Sequence, residues 1–241
     1  MQKQAMIFAA GLGTRMRPLT DNCPKALIKV RGITLLEHTI RRLKKAGFED
    51  IILNAHYLAH QIEAFLEEQK NFGLRIQISK EIELLDTGGG LKKAFPLLPY
   101  PDSPLLIHNT DVMSSLDFDA FWQAHSLRPS LATMWVQDRN SKRKLLFSSQ
   151  NHSLCGKLND TQYTWAKPFE PHYSRAFNGI HIVSPAIRDY FPTTPNFSII
   201  DTYLSAAAQG AFLYPYEPII PTDWVDVGNP QAIQLAEQIF R

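Results

Sequence analysis

The chain has 241 residues, of which 44% are apolar and 20% charged, values typical of a globular protein, and we expect residues 1–241 to form one domain. A net charge of only +2 argues against nucleic acid or an anionic membrane as a partner, and no apolar run approaches the roughly 18 residues of a transmembrane helix. Two cysteines, Cys23 and Cys155, are too few for a disulfide framework, so a cytoplasmic location is the expectation.

Strands and helices alternate through the first half of the sequence. Short apolar runs predict strands over residues 5–10, 50–54, 74–79 and 104–108. Apolar residues at helical spacing predict helices over residues 34–46 and 57–68, the first with Thr34 as its N-cap and Gly47 just beyond its end. Because strands separated by helices form right-handed βαβ units, we expect an α/β fold with a mostly parallel central sheet.

A loop with two glycines and three cations follows the first predicted strand, in residues 9–25 (AAGLGTRMRPLTDNCPK). The dinucleotide pattern G-x-G-x-x-G fails here because Met16 stands where the third glycine belongs, and the P-loop sequence G-K-[ST] is absent. Two interpretations remain open. The glycines and the cations Arg15 and Lys25 hold phosphate groups, or the glycines form a tight turn whose cations are solvated.

A second glycine-rich segment, residues 85–91 (LDTGGGL), precedes a predicted helix that carries Lys92 and Lys93. Three consecutive glycines are unfavourable for regular structure because of their conformational entropy, but they let a flat ring or a phosphate approach the backbone closely. The alternative is a flexible loop ahead of the helix.

The sequence changes character in the middle and then returns to the earlier pattern. Over residues 131–183, frequent β-branched and aromatic residues broken by polar turns predict an antiparallel lobe placed against the parallel sheet. Beyond the lobe we expect a helix over residues 198–209 and strands over 211–216 and 222–227. The last helix opens with Asn229 as N-cap and Pro230 in its first turn.

Two aspartates stand in apolar surroundings far apart in the sequence. Asp111 follows the strand predicted at 104–108, and Asp226 lies in the segment WVDVG. An unpaired carboxylate in such surroundings is costly, so each needs hydrogen bonds, a cation or a metal. Together they are able to share one Mg²⁺, which prefers oxygen ligands, whereas each one alone is more simply a turn or capping residue.

The loop closely resembles the signature of sugar-1-phosphate nucleotidylyltransferases. The resemblance rests on the segments GLGTR, PLT and PKAL of the loop, NTD at residues 109–111, FNGI at 177–180 and WVDVG at 224–228. Thr110 departs from the glycine usual in the family, and Ala166 departs from the usual glutamate of Glu-Lys-Pro. The resemblance implies a Rossmann-like three-layer sandwich with a mixed central sheet, the nucleotide-diphospho-sugar transferase fold, and a single nucleotidyltransferase domain.

The resemblance also implies a role for each matching residue. Catalytic roles fall to Arg15 and Lys25, and the two metal ligands for Mg²⁺ are Asp111 and Asp226. Contacts to the nucleotide are assigned to Ala10, Gly11, Gly13, Thr14, Thr87 and Gly88. Contacts to the sugar phosphate are assigned to Asn178, Gly179 and Lys167.

The implied partners are an NTP and a sugar 1-phosphate, which react to give an NDP-sugar and pyrophosphate. The sequence is most similar to N-acetylmuramate 1-phosphate uridylyltransferases, with UTP as the nucleotide. Mannose-1-phosphate guanylyltransferases and then phosphocholine cytidylyltransferases are alternatives. A catalytically inactive protein that senses nucleotide sugars is a further one; it would be expected to lack a metal aspartate or the loop lysine, and this chain has both.

Overall fold

The computed structural model describes residues 2–168 and 171–240, and its strands and helices follow the predicted alternation. The strands are β1 (Gln4–Phe8), β2 (Lys29–Val30), β3 (Ile33–Thr34), β4 (Asp50–Ala55), β5 (Arg75–Lys80), β6 (Leu105–Asn109), β7 (Val112–Ser114), β8 (Ala132–Gln137), β9 (Arg143–Ser148), β10 (Leu154–Asn159), β11 (Gln162–Trp165), β12 (His172–Val183), β13 (Leu213–Tyr216) and β14 (Trp224–Asp226). The helices are α1 (Leu35–Lys45), α2 (Ala59–Glu68), α3 (Asp86–Ala94), α4 (Phe118–Leu127), α5 (Ile199–Ala208) and α6 (Pro230–Ile239).

The central sheet is mixed and runs in the order β11-β10-β9-β12-β6-β1-β4-β5, with β8 paired to β12 and β13 paired to β8. Strands β6, β1, β4 and β5 are parallel, whereas β12 is antiparallel to β6. In this register Phe8 lies opposite both Asn54 and Asn109, so the carboxyl ends of three neighbouring strands meet at one edge. Ligands of open α/β sheets bind at that edge.

Helices cover both faces of the parallel strands because alternate residues of each strand are apolar on opposite sides. Ile7 and Leu53 face a core that includes the buried residues of α1, α2 and α4. Met6 and Ile52, their neighbours in the chain, face a second core with α3 and α5. The predicted three-layer α/β sandwich is confirmed.

Three predicted helix starts are confirmed by their caps. The Thr34 hydroxyl accepts a hydrogen bond from the Glu37 N–H at 3.1 Å, and the Asn229 side chain accepts one from the Ala232 N–H at 2.9 Å. Ser198, the first residue of the helix predicted over 198–209, caps α5 by accepting from the Ile200 N–H. Such caps satisfy backbone donors that have no partner within the helix.

The lobe predicted over residues 131–183 is antiparallel, but it is continuous with the central sheet. Residues 169 and 170 of this range lie outside the described residues. Strand β12 pairs with β9 along its first part and with β6 and β8 along its last part, so one strand belongs to both regions. The sequence interpretation left three elements unassigned, namely the β2–β3 hairpin, β7 and α4, whose N-cap is Asp117.

The glycine run at residues 88–90, predicted to precede a helix, lies within α3. Its glycines are buried because other segments pack where side chains would be. The Gly88 N–H donates to the Phe197 carbonyl at 2.9 Å, and a Cβ on Gly90 would lie 2.7 Å from a Glu81 carboxylate oxygen. Close packing therefore explains the run.

Replacing Gly89 with alanine is expected to lower the free energy of unfolding by more than about 2 kcal/mol. A Cβ at this position would overlap the backbone carbonyl of Pro195, which a side-chain rotation does not relieve. This destabilisation is opposite to the usual effect, because alanine in the interior of a helix normally stabilises the helix by about 1 kcal/mol relative to glycine. Urea denaturation of both proteins measures the difference, and a stabilised variant would contradict this packing.

Three buried histidines are expected to make stability fall in acid. Burial lowers the pKa of His181 to about 3, with a smaller contribution from His108, and lowers that of His125 to about 4. Burial, with Arg42 nearby, likewise lowers the pKa of His108 to about 3. Between these values and about 6.5 the unfolded chain binds more protons, so each histidine removes about 1.4 kcal/mol per pH unit as pH falls through that window.

Thermal melting from pH 7 to pH 4 measures this dependence. His181→Leu is expected to melt with a shallower pH dependence, whereas His60→Leu, at an exposed position on α2, should leave it unchanged. If the wild type and both variants show the same change of melting temperature with pH, His181 does not cause the loss of stability in acid.

None of the helices within residues 2–168 and 171–240 combines the length and the apolar character needed to cross a membrane.

Candidate active site

Two neighbouring cavities open at the carboxyl ends of β1 and β6. The first, which we call the loop cavity, has a volume of about 550 Å³ and is lined by the loop after β1 together with Asn54, Glu81 and Thr87. The second, the lobe cavity, has a volume of about 560 Å³ and is lined by residues of β9, β10 and β12. Arg15, Asn109 and Asp111 line both cavities, so the boundary between them is where two bound molecules would meet.

The loop after β1 is held in a defined shape by its second glycine. Gly13 has a φ of 64°, and a Cβ there would lie 2.9 Å from the Thr20 methyl group. The Thr20 hydroxyl donates to the Gly13 carbonyl at 2.8 Å, and so does the Met16 N–H. Glycine is favoured at such a left-handed, crowded position, and the side chain of Arg15 is left facing the cavities.

An apolar cluster joins the segments that carry the charged residues. Its buried members come from the first loop, the β2–β3 hairpin, α1, β7 and the last strand and helix: Met16, Ile28, Val30, Leu35, Met113, Val225, Val227 and Ala236. Strands β7 and β14 pair so that Asp226 lies opposite Val112, and the Val227 N–H donates to the Asp111 carbonyl at 2.8 Å. Burial of this cluster therefore brings together Arg15, Lys25 and two aspartates that are 115 residues apart in the sequence.

The two aspartates have different immediate partners. Lys25 Nζ lies 2.5 Å from Asp111 Oδ2 in a partly buried ion pair. Asp226 Oδ1 is buried and has no hydrogen-bond partner among the described residues. Burial, and next the charge of Asp111, raises the pKa of Asp226 against the opposing effects of Lys25, Arg15 and Arg139. The positive groups of the protein alone therefore do not fully compensate the negative charge of this carboxylate.

These residues fit a divalent cation. The unpartnered oxygen of Asp226 and the neighbouring Asp111 are hard oxygen donors, and a cation between them would offset both the burial and the repulsion by Asp111 that raise the pKa of Asp226. No group of three or more His, Cys, Asp or Glu side chains capable of holding a metal occurs in the part of the chain that the structure describes. Mg²⁺ suits a two-carboxylate site because it keeps water and substrate phosphate oxygens in its shell.

Arg15 and Asp226 both lie against Gly228. A Cβ on Gly228 would lie 2.9 Å from Asp226 Oδ1 and 3.0 Å from the Arg15 Nη2 atom. Both side chains therefore pack against the bare backbone of this residue. The glycine that ends the segment WVDVG has a steric reason to be there, because a larger residue would displace the Arg15 or the Asp226 side chain.

The floor of the lobe cavity is built around Asn178, which is 1% exposed. Its side-chain carbonyl accepts from Arg139 Nε at 3.2 Å, its backbone carbonyl accepts from Trp224 Nε1 at 3.0 Å, and its Nδ2 has no partner among the described residues. The Arg139 guanidinium lies 3.8 Å above the Trp224 ring. Next to Asn178, Gly179 has a φ of 78°, and a Cβ there would lie 2.7 Å from Asn109 Nδ2.

Sequence reasoning missed Arg139 because it lies in what looks like an ordinary polar turn, Asp138-Arg139-Asn140. The spacing of the sequence gives no sign that this turn folds over the Trp224 ring and reaches the lobe cavity. Burial lowers the pKa of the Arg139 guanidinium, although Asp226 nearby opposes the shift. Arg139 therefore supplies part of the positive charge that Asp226 needs.

Sequence reasoning also missed a buried pair behind the loop cavity. Asn54 Oδ1 accepts from the Ala9 N–H at 2.8 Å, and Asn54 Nδ2 donates to a Glu81 carboxylate oxygen at 2.8 Å. The other carboxylate oxygen of Glu81 accepts from the Leu85 N–H. The pair thus connects the end of β1 to the segment just before α3, which fixes the two sides of the loop cavity relative to each other.

Most of the site residues named from the sequence line the two cavities. The loop cavity is lined by Ala10, Gly11, Gly13, Thr14, Arg15, Lys25, Thr87 and Asp111, and the lobe cavity by Asn178, Gly179 and Asp226. Thr110, the departure from the family pattern, fits without a positive φ, and its hydroxyl donates to the Phe8 carbonyl at 2.7 Å.

Two of the named residues lie elsewhere. Among the described residues, the walls of the two cavities do not include Gly88, which packs against Phe197, or Lys167. The Lys167 ammonium group lies near Gly210, where a Cβ would be 3.7 Å away, just beyond the end of α5. The contacts of Gly88 with the nucleotide and of Lys167 with the sugar phosphate stay predictions.

Comparison with known proteins identifies the family. The sequence profile of the family described as nucleotidyl transferase matches residues 4–145. The chain is 34% identical to the N-acetylmuramate alpha-1-phosphate uridylyltransferase of Caulobacter vibrioides, over 98% of this chain and 96% of that protein. The chain belongs to the nucleotidyl transferase family. Within it, the chain is a sugar-1-phosphate nucleotidylyltransferase.

Other relatives agree with this family assignment. The chain is 30% identical to the mannose-1-phosphate guanyltransferase of Gibberella zeae over 95% of this chain, but it spans only 61% of that protein's length. The crystal structure of HddC from Yersinia pseudotuberculosis complexed with GMP-PN superposes with a TM-score of 0.77 at 21% identity, and the match covers 100% of both chains. The expected nucleotide-diphospho-sugar transferase fold is thereby confirmed for this nucleotidyltransferase.

Proposed function

We propose that this nucleotidyltransferase joins UTP to N-acetylmuramate 1-phosphate and releases pyrophosphate. The observation that carries the choice of substrate is the similarity to the Caulobacter enzyme over 96% of that enzyme's length. Mannose 1-phosphate with GTP is the second candidate, supported by 30% identity to guanyltransferases whose length the chain spans only in part.

The two cavities suit the two substrates. We place the nucleotide in the loop cavity, whose wall is formed by the backbone of residues 9–14, because glycines there let backbone N–H groups approach phosphate oxygens. We place the sugar phosphate in the lobe cavity, on the floor formed by Asn178 and Gly179. The reacting phosphorus then lies at the shared boundary, beside Arg15 and Asp111.

In the proposed reaction a phosphate oxygen of the sugar 1-phosphate attacks the α-phosphorus of UTP in line. The new P–O bond forms as the bond to the β-phosphate oxygen breaks, and pyrophosphate leaves with that electron pair. Because the nucleophile is already an anion, no side chain is needed to remove a proton from it. The main barrier is the repulsion between two phosphate groups, which correctly placed positive charge lowers.

Each charged residue at the boundary has a part in this scheme. Arg15 contacts the leaving phosphates through a guanidinium that matches two phosphate oxygens at once. Lys25, placed by its ion pair with Asp111, holds the phosphates at the reacting centre. Asp111 and Asp226 would hold Mg²⁺, which when bound neutralises phosphate charge at this position.

A substrate panel tests the proposal. Pyrophosphate release is measured with MgCl₂ for UTP, GTP, CTP and dTTP, each against N-acetylmuramate 1-phosphate, mannose 1-phosphate, glucose 1-phosphate and phosphocholine. We expect UTP with N-acetylmuramate 1-phosphate to give the highest kcat/KM. A clear preference for GTP with mannose 1-phosphate would replace the proposal by the second candidate. If no pair of substrates releases pyrophosphate, both candidates are rejected.

A further inference from the structure

Among the described residues, the lobe cavity is lined by five cationic side chains and two acidic ones. Besides Arg15 and Arg139, its lining includes Arg143 of β9 and Lys157 of β10. In the antiparallel register of these strands Lys157 lies opposite Leu145, and Arg143 is two residues before Leu145. Alternate residues of a strand share a face, so Arg143 and Lys157 project from the same face as diagonal neighbours.

Neither Asp111 nor Asp226 forms an ion pair with Arg143 or Lys157 among the described residues. Asp111 is paired with Lys25, and Asp226 is faced by Lys25, Arg15 and Arg139. Within the described ranges, Arg143 forms no ion pair with a carboxylate. Its lobe-cavity neighbour Lys157 lies 2.6 Å from Asp201, whose side chain is 60% exposed, and such a pair is strongly screened by water. A positive patch therefore remains, in which Arg143 has no described carboxylate partner and Lys157 has one that is mostly exposed.

This patch is separate from the boundary where the phosphates react. Arg143 and Lys157 line the lobe cavity alone, whereas Arg15 and Asp111 line both cavities. A sugar lying on Asn178 and Gly179 would have its phosphate toward Asp111 and its other ring substituents toward β9 and β10. Positive charge at that distance from the reaction fits a second anionic group on the sugar itself.

We propose that Arg143 and Lys157 form a specificity subsite for a carboxylate carried by the sugar, so that the enzyme selects acidic sugar 1-phosphates. The inference rests on the proposed function and extends it. N-acetylmuramate differs from N-acetylglucosamine by one lactyl ether, which adds one carboxylate. Arg143 is suited to that group because its planar guanidinium donates two parallel hydrogen bonds to a carboxylate.

The test compares two sugars that differ only by the lactyl group. With UTP fixed, kcat/KM is measured for N-acetylmuramate 1-phosphate and for N-acetylglucosamine 1-phosphate, and their ratio gives the selectivity for the carboxylate. Arg143→Gln and Lys157→Gln are each expected to lower that ratio about tenfold, the usual size of a hydrogen bond to a charged group. The matched control is Lys142→Gln, the exposed neighbour that pairs with Asp160 and does not line either cavity; its ratio should match the wild type.

The possible outcomes separate the two proposals. A variant that loses activity on both sugars equally keeps its ratio, which would indicate a structural role and overturn the subsite. Unchanged ratios in both variants, with a wild type that prefers the acidic sugar, would overturn the subsite and leave the proposed function standing. A wild type that prefers N-acetylglucosamine 1-phosphate, or uses neither sugar, would overturn both.

Discussion

Replacing Asp226 with asparagine is expected to lower kcat at least about a hundredfold while leaving the protein folded. The amide cannot supply the charge that a cation at this position needs. At the same time, burial and the charge of Asp111 raise the pKa of Asp226, so its ionised form is less favourable in the folded protein than in the unfolded chain near neutral pH. Removing that charge should keep the melting temperature level or raise it.

Two measurements on the same samples separate catalysis from folding. Pyrophosphate release gives kcat, and thermal melting with and without MgCl₂ gives stability and cation binding. We expect MgCl₂ to raise the melting temperature of the wild type but not that of the variant. Asp223→Asn is the matched control, because Asp223 is exposed three residues earlier and does not line either cavity. A wild-type kcat in Asp226→Asn would contradict the proposal that Asp226 is a metal ligand.

Replacing Arg15 with glutamine is expected to lower kcat/KM about a hundredfold, as for the loss of a charged donor to a group that gains charge in the transition state. Arg15 is exposed and lines both cavities at their boundary, so its loss removes positive charge from the phosphates without opening a gap in the core. Arg15→Lys should recover only part of the activity, because an ammonium group does not bind two phosphate oxygens in one plane. Initial rates at varied UTP measure the effect.

Arg17 offers a control in the same loop. It is two residues further on, its side chain is 69% exposed, and its ion pair with Asp21 spans 3.4 Å at the surface. Arg17→Gln should remain within about threefold of the wild type because exposed ion pairs contribute little. Equal losses in Arg15→Gln and Arg17→Gln would point to a general effect of the net charge of the loop, against a specific phosphate contact.

The parts of the fold that the sequence predicts are those governed by local patterns. The apolar run before the first glycines became β1, and Thr34, Ser198 and Asn229 each begin a helix by capping it. The glycine run was misplaced for a non-local reason. Gly88 and Gly89 are required by Phe197 and Pro195, which are distant in the sequence, and no local propensity reveals those contacts.

The candidate site likewise has residues that sequence motifs predict and residues that only the packing reveals. Arg15, Lys25 and the two aspartates stand in motifs that the family resemblance makes visible, and the structure brings them together through the cluster around Met16 and Val227. Arg139 and the Asn54–Glu81 pair belong to no motif, since their importance comes from packing on Trp224 and from a bond to the Ala9 N–H. Spacing in a single sequence does not record such contacts.

Strand β12 has a mechanical consequence for how substrates enter. It is bonded to β9 over residues 172–175 and to β6 over residues 180–183, and Asn178 and Gly179 lie between these stretches, where the pairing with β8 shifts register. Moving the lobe away from the sheet would break backbone hydrogen bonds along this strand. We therefore expect the lobe to keep its position relative to the sheet when substrates bind. The dimensions of the sugar site are then set before the sugar binds. We expect the site to select its substrate by its preformed shape rather than by closing around the sugar.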